Sequence, residues 1–187
     1  MPGKVFVITG PSGVGKGTLI RTLRERVPEL ELAVSATTRP PRAGEQPGVD
    51  YHFMTPEEFE RRVAAGEFVE HAGYSGRRYG TLRAELERRL AGGHPVVLEI
   101  ELQGARQIRE SLPDAVQIFI APPSDDALRT RLVGRGTDDA EQVARRLATA
   151  REELRAKDEF SHVVVNDRLD EAAADLERRV RAHLSDR

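Results

Sequence analysis

Residues 10–18 read Gly10-Pro11-Ser12-Gly13-Val14-Gly15-Lys16-Gly17-Thr18, a run of spaced glycines closed by a lysine, which suits phosphate binding when it follows a strand and opens a helix. The glycines let the backbone turn tightly, so that several N–H groups face phosphate oxygens, and the helix N-terminus adds its partial positive charge. Lys16 then reaches the β- and γ-phosphates of a nucleotide, and ATP is the expected ligand. The plainer alternative, an ordinary glycine-rich turn, fits poorly: with the glycine and lysine content of this chain such a spacing arises by chance roughly 0.02 times. Lysine is also scarce, since only Lys4, Lys16 and Lys157 stand among 29 basic residues, all the others being arginine. At Gly17, where a serine or threonine hydroxyl usually ligates Mg²⁺, there is none, and Thr18 comes one residue late. Either Thr18 contacts a phosphate and Mg²⁺ is held mainly by nucleotide oxygens and waters, or metal is bound weakly. The few protein ligands that Mg²⁺ requires favour the first.

Other residues offer chemistry of their own. Arg39 and Arg42 stand three apart in the loop Arg39-Pro40-Pro41-Arg42 and could clamp a phosphate dianion through bidentate guanidinium bonds; spacing alone equally allows a solvated basic face. Glu99 and Glu101 follow the apolar run 96–98 and lie two apart, so they share one face at the end of a strand, where carboxylates suit Mg²⁺-water or substrate contacts. The five histidines show no zinc spacing, and no Ser/His/Asp set is apparent.

The elements that must position these residues follow from periodicity. Short β-branched runs at 5–9, 96–100, 116–120 and 163–165 read as buried strands. They alternate with helical segments at roughly 16–26, 103–111, 125–133, 139–156 and 170–184, the last with Ala173, Leu176, Val180 and Leu184 in one stripe. This predicts an α/β fold around a parallel core sheet. Between Ser35 and Thr81 the texture changes to glycines, prolines and short strands, which predicts an inserted β-rich subdomain. Its helix is signalled by Thr55-Pro56-Glu57-Glu58, with Thr55 as cap, Pro56 in the first turn, Glu58 closing a capping box and Gly66 ending it.

The 187 residues fit one domain. Hydrophobic residues at 39% and charged residues at 32% predict a folded chain. A net charge of −2 gives no global field for nucleic acid or an anionic membrane, so neither is an expected partner. The absence of cysteine excludes disulfides and thiolate chemistry. The longest early apolar run, 5–8, is too short for a signal or a membrane span, so a cytoplasmic protein is expected. No oligomeric state follows.

Six segments together resemble the guanylate kinase family, the P-loop kinases of nucleoside monophosphates: Gly10 to Lys16, Ser35-Ala36-Thr37-Thr38-Arg39-Pro40-Pro41-Arg42-Ala43-Gly44-Glu45, Gly48-Val49-Asp50-Tyr51, Arg78-Tyr79-Gly80-Thr81, Ile120 to Ser124, and Gly134-Arg135-Gly136-Thr137. They run in the family's order over essentially the whole chain. The resemblance implies one domain with a core of 1–34, 82–124 and 147–187, a GMP-binding insertion at 35–81 and a helical lid at 125–146, and it implies phosphoryl transfer from ATP to GMP in purine nucleotide metabolism. By resemblance Arg39 and Arg42 hold the GMP phosphate with the hydroxyls of Tyr51 and Tyr79. Ser35 and Thr81 complete the pocket near guanine O6, Glu45 and Arg146 join the GMP site, and Asn166 lies near adenine. Glu70 accepts the adjacent N1–H and N2–H₂ donors of guanine and opposes adenine, whose edge presents an acceptor at N1; by itself it also fits an outward polar position on a half-buried strand. Arg131, Arg135 and Arg146 on the lid neutralise the transferring phosphoryl group. Glu99 and Glu101 depart from a pattern that usually has aspartate there. Two alternatives remain at this stage: a non-catalytic guanylate-kinase-like interaction module, marked by a damaged phosphate loop, and a kinase for a phosphorylated sugar, which needs no guanine-reading carboxylate.

Overall fold

A computed structural model describes residues 3–133 and 140–185. Its central sheet is parallel, with strands in the order β2-β7-β1-β8-β9: β1 is Val5–Thr9, β2 Glu31–Leu32, β7 Val96–Glu99, β8 Val116–Ala121 and β9 His162–Val165. Every residue of β1 and β8 is buried, the signature of strands covered on both faces. The helices are α1 Lys16–Arg26, α4 Leu102–Ser111, α5 Asp125–Val133, α6 Ala140–Arg155 and α7 Leu169–Ser185. Of the stripe expected on α7, Ala173, Leu176 and Val180 are fully buried.

A second sheet, ordered β4-β3-β6-β5, is mixed. It comprises β3 Ala36–Thr37, β4 His52–Phe53, β5 Phe68–Tyr74 and β6 Arg77–Leu82. β5 and β6 form a hairpin whose two turn residues, Ser75 and Gly76, have φ of 50° and 73°, the left-handed pair that matches strand twist. Beside this sheet α2, Pro56–Ala64, buries Phe59 against Ala36 and Phe68. Thr55 caps it by accepting the Glu58 N–H at 3.2 Å. The capping box does not close, because the Glu58 carboxylate takes the Arg62 guanidinium at 2.9 Å, a charged donor one turn on. Gly66, at φ +70°, ends the helix, with Glu67 N–H donating to Arg62 O and Gly66 N–H to Val63 O, both at 3.0 Å.

Besides the short 3-10 helix at Ala156–Glu159, two elements lie outside the sequence reading. The two-residue strand β2 is defined by its parallel register with β7, Glu31 opposite Val96. Helix α3, Arg83–Ala91, starts at Leu82 without a side-chain cap, so it lacks a capping signal.

The chain divides into two compact units, Met1–Val7 with Glu29–Ala115, and Ile8–Pro28 with Val116–Arg187. Among the described residues no helix is long and apolar enough to cross a membrane.

Candidate active site

In the second unit the phosphate loop leaves β1 and enters α1 at Lys16. Gly10, Gly13 and Gly15 have φ of 151°, 83° and 93°, and a side chain at any of them would collide: a Cβ at Gly10 would lie 2.3 Å from Ile120 O, and one at Gly15 2.7 Å from Asn166 Nδ2. The Lys16 ammonium donates to Gly10 O at 2.5 Å and Pro11 O at 3.3 Å, which keeps it against the loop backbone. Asn166 follows β9, its N–H extending the ladder to Ala121 O at 2.8 Å. Its buried amide donates to Val14 O at 2.8 Å. Arg131 on α5 donates to Asn166 O at 2.9 Å, and Arg146 on α6 donates to Ser12 Oγ at 3.2 Å. These residues thus converge on loop residues 10–16, at the carboxyl ends of parallel strands where α/β folds place ligands. Leu128 and Leu132 of α5 pack with Leu147 and Ala150 of α6. Gly17 and Thr18 are exposed. Arg135 and the segment 134–137 lie outside the described residues.

In the first unit the arginine loop is organised by Glu45. Its carboxylate accepts Arg39 Nη1 at 3.0 Å and Nη2 at 2.8 Å, and the Arg42 backbone N–H at 2.7 Å. The hydrogen bond to Arg39 holds the Glu45 carboxyl below its ordinary range and raises the Arg39 pKa in turn. The Arg39 guanidinium also lies 5.1 Å from the centre of the Tyr51 ring, and Tyr51 meets Tyr79 edge-on at 6.2 Å. Burial pushes the Tyr51 phenol up, with the Glu99 charge adding to it. Arg42 is exposed and Ser35 half-buried.

Glu70 on β5 is only 3% exposed, so it occupies a buried position and not the outward polar one. Thr81 Oγ1 donates to its Oε1 at 2.7 Å. Burial pushes its pKa up to about 7; bonds from the Thr81 hydroxyl and backbone oppose the shift, and the Glu101 charge adds to it. Glu99 and Glu101, which ends the link between β7 and α4, therefore act electrostatically on Tyr51 and Glu70, the residues expected to hold phosphate and base.

A guanylate kinase family model matches residues 2–183. The chain belongs to the guanylate kinase family. The guanylate kinase of Frankia casuarinae is 56% identical over 176 residues, covering 94% of this chain and 96% of that protein. That of Thermosynechococcus vestitus is also 56% identical over 176 residues, covering 94% and 92%. The crystal structure of guanylate kinase from Anaplasma phagocytophilum superposes with a TM-score of 0.78 at 33% identity, covering 97% of this chain and 86% of that one.

Within this guanylate kinase fold, one buried residue beside the expected site residue Ser35 was not singled out from the sequence. Glu85 of α3 is buried and accepts the Val34 N–H at 3.2 Å, next to Ser35. Burial disfavours its charge, but hydrogen bonds from Arg88, Arg89 and Val34 outweigh that and leave its pKa at about 2. The spacing of Glu85 to Arg88 and Arg89, at i+3 and i+4, is the pattern from which α3 could have been read.

Proposed function

We propose that the protein transfers the γ-phosphoryl group of ATP to the phosphate of GMP, giving ADP and GDP, in the cytoplasm and as a step of purine nucleotide metabolism. The observation that carries this reading is Glu70, a carboxylate 3% exposed whose hydrogen-bond partner is the neutral Thr81. Once ionised it is an acceptor, matched to the paired donors of guanine and opposed to adenine. A sugar phosphate makes no such demand. A non-catalytic module has no use for Lys16 and the two arginines gathered on the phosphate loop.

The chemistry then asks little of the protein beyond placement and charge. A phosphate monoester has its second pKa near about 6, so GMP is largely ionised at neutral pH and needs no general base. Lys16 and the loop N–H groups take the ATP phosphates, with Arg131 and Arg146 set to neutralise charge on the group in transfer. Arg39, aimed by Glu45, takes the acceptor phosphate with Arg42, Tyr51 and Tyr79, while Ser35 and Thr81 flank the base. Residues 35–81 serve as the acceptor-binding part and 125–146, with Arg135, as the lid. Hard oxygen donors suit Mg²⁺, and the Thr18 hydroxyl is exposed two residues beyond Lys16. Mg²⁺ keeps several waters and needs few protein ligands, so it would be held mainly by nucleotide phosphates and waters, with Thr18 contacting a phosphate. Bound there it supplies charge neutralisation.

A coupled assay of ADP release, with GMP, AMP, UMP and ribose 5-phosphate offered in turn, tests the proposal. Turnover with GMP far above the others is expected. Preference for ribose 5-phosphate or AMP, or no turnover with any acceptor, contradicts it.

A further inference from the structure

Gly104 is the third residue of α4, buried, and free of the positive φ that would demand glycine. Glycine weakens a helix relative to alanine, so its place here calls for another cause. A Cβ at position 104 would lie 2.1 Å from Glu70 Oε2 and 2.9 Å from Glu70 Cδ. No real side chain tolerates such distances, so an alanine would force the carboxylate to move.

The carboxylate has little freedom to do so. Its other oxygen, Oε1, is bonded by Thr81 at 2.7 Å, Glu70 pairs with Thr81 in the β5–β6 register, and the residue is 3% exposed. The first turn of α4 carries no acidic residue, and Glu101 at its N-cap makes no side-chain capping bond. Glu70 thus lies beside a helix end whose partial positive charge favours an anion, in the space that a side chain at 104 would fill.

We infer that Gly104 is a positioning residue for base selection: its missing side chain makes the slot that seats the Glu70 carboxylate between Thr81 and the first turn of α4. The inference rests on the reading of Glu70 as the guanine selector, and it extends specificity to a residue that touches no nucleotide. An alanine at 104 pushes the carboxylate off its place, and a displacement of about 1 Å is enough to cost on the order of a hundredfold in turnover efficiency.

The test is a double-mutant cycle of Gly104→Ala and Glu70→Ala, with kcat/KM for GMP and AMP and the melting temperature of the nucleotide-free protein as readouts. In the native background Gly104→Ala is expected to lower kcat/KM for GMP about a hundredfold, to reduce the GMP-to-AMP ratio, to leave KM for ATP unchanged and to lower the melting temperature. In the Glu70→Ala background, where the carboxylate is gone, the same substitution should cost less than about threefold and leave the melting temperature equal or higher. A Gly104→Ala protein that keeps its GMP preference, or that loses the same factor in both backgrounds, overturns the inference. If Gly104→Ala alone does not fold, recovery of a cooperative melt in the double variant supports the seating of Glu70, and failure of both overturns it. Glu70→Ala retaining full GMP preference would overturn the guanine reading as well, while the melting temperatures report on the packing separately.

Discussion

The two units hold their functional groups in different ways. In the unit with the phosphate loop, most of these side chains lean on backbone: Lys16 on the carbonyls of Gly10 and Pro11, and Asn166 and Arg131 on those of Val14 and Asn166, with Arg146 on the Ser12 hydroxyl as the exception. In the other unit side chains lean on side chains, with Arg39 on Glu45 and Tyr51, and Glu70 on Thr81. Backbone support makes a site generic, because every nucleotide presents the same phosphates to it. Side-chain support suits a selective site, because under the proposed function one carboxylate at one place decides which base fits.

Three predictions press on this contrast. The largest effect is expected for Lys16→Ala, which removes the loop's ammonium and should cut kcat about 10²- to 10³-fold, while circular dichroism and GMP affinity by calorimetry stay as they were. A matching loss of GMP affinity would break the division of labour.

The second concerns pH. The pKa of Glu70 rises from 4.5 to about 7 in the folded protein, so between these values the native state binds more protons than the unfolded chain. The stability of the nucleotide-free protein should therefore fall as pH rises through that window, and Glu70→Gln should remove this component of the melting profile. Guanine recognition by Glu70, as proposed, needs the ionised form, so kcat/KM for GMP should drop about tenfold per unit well below pH 7. A flat profile from pH 5 to 8 contradicts both expectations.

The smallest effect belongs to Glu45→Gln. It keeps the shape of the arginine loop and weakens the charge that aims Arg39, so KM for GMP should rise roughly three- to tenfold with KM for ATP unchanged. A rise in KM for ATP instead would show that Glu45 serves the donor side.

The same contrast explains what could be read in advance. The phosphate loop is contiguous and backbone-made, so its glycine spacing and lysine were legible, and α1 at Lys16–Arg26 and α5 at Asp125–Val133 have the bounds their periodicity predicts. The residues proposed for the acceptor side come from segments far apart in sequence. Alternation along β5 does not say which face is buried, so the 3% exposure of Glu70 emerges only when β6 and α4 cover it. Glu45 could be named from the family pattern, whereas its grip on Arg39 and on the Arg42 N–H is a property of the folded loop. Likewise Asn166 was expected near adenine, and its buried amide bond to Val14 O is visible only in three dimensions. Strand β2 was missed because its formation depends on pairing with β7, and helix α3 because it starts at Leu82 without a side-chain cap, which leaves only the spacing of Glu85 to Arg88 and Arg89 to signal it.

The central claim is that a single buried carboxylate chooses the acceptor. It is tested most directly by the ratio of kcat/KM for GMP to that for AMP, measured side by side in the native protein and in Glu70→Ala with ATP saturating. A strong preference for GMP is expected in the native protein, collapsing by about 10²-fold in the variant, the cost of losing two charge-assisted hydrogen bonds. A ratio that stays unchanged in a folded Glu70→Ala protein would contradict it.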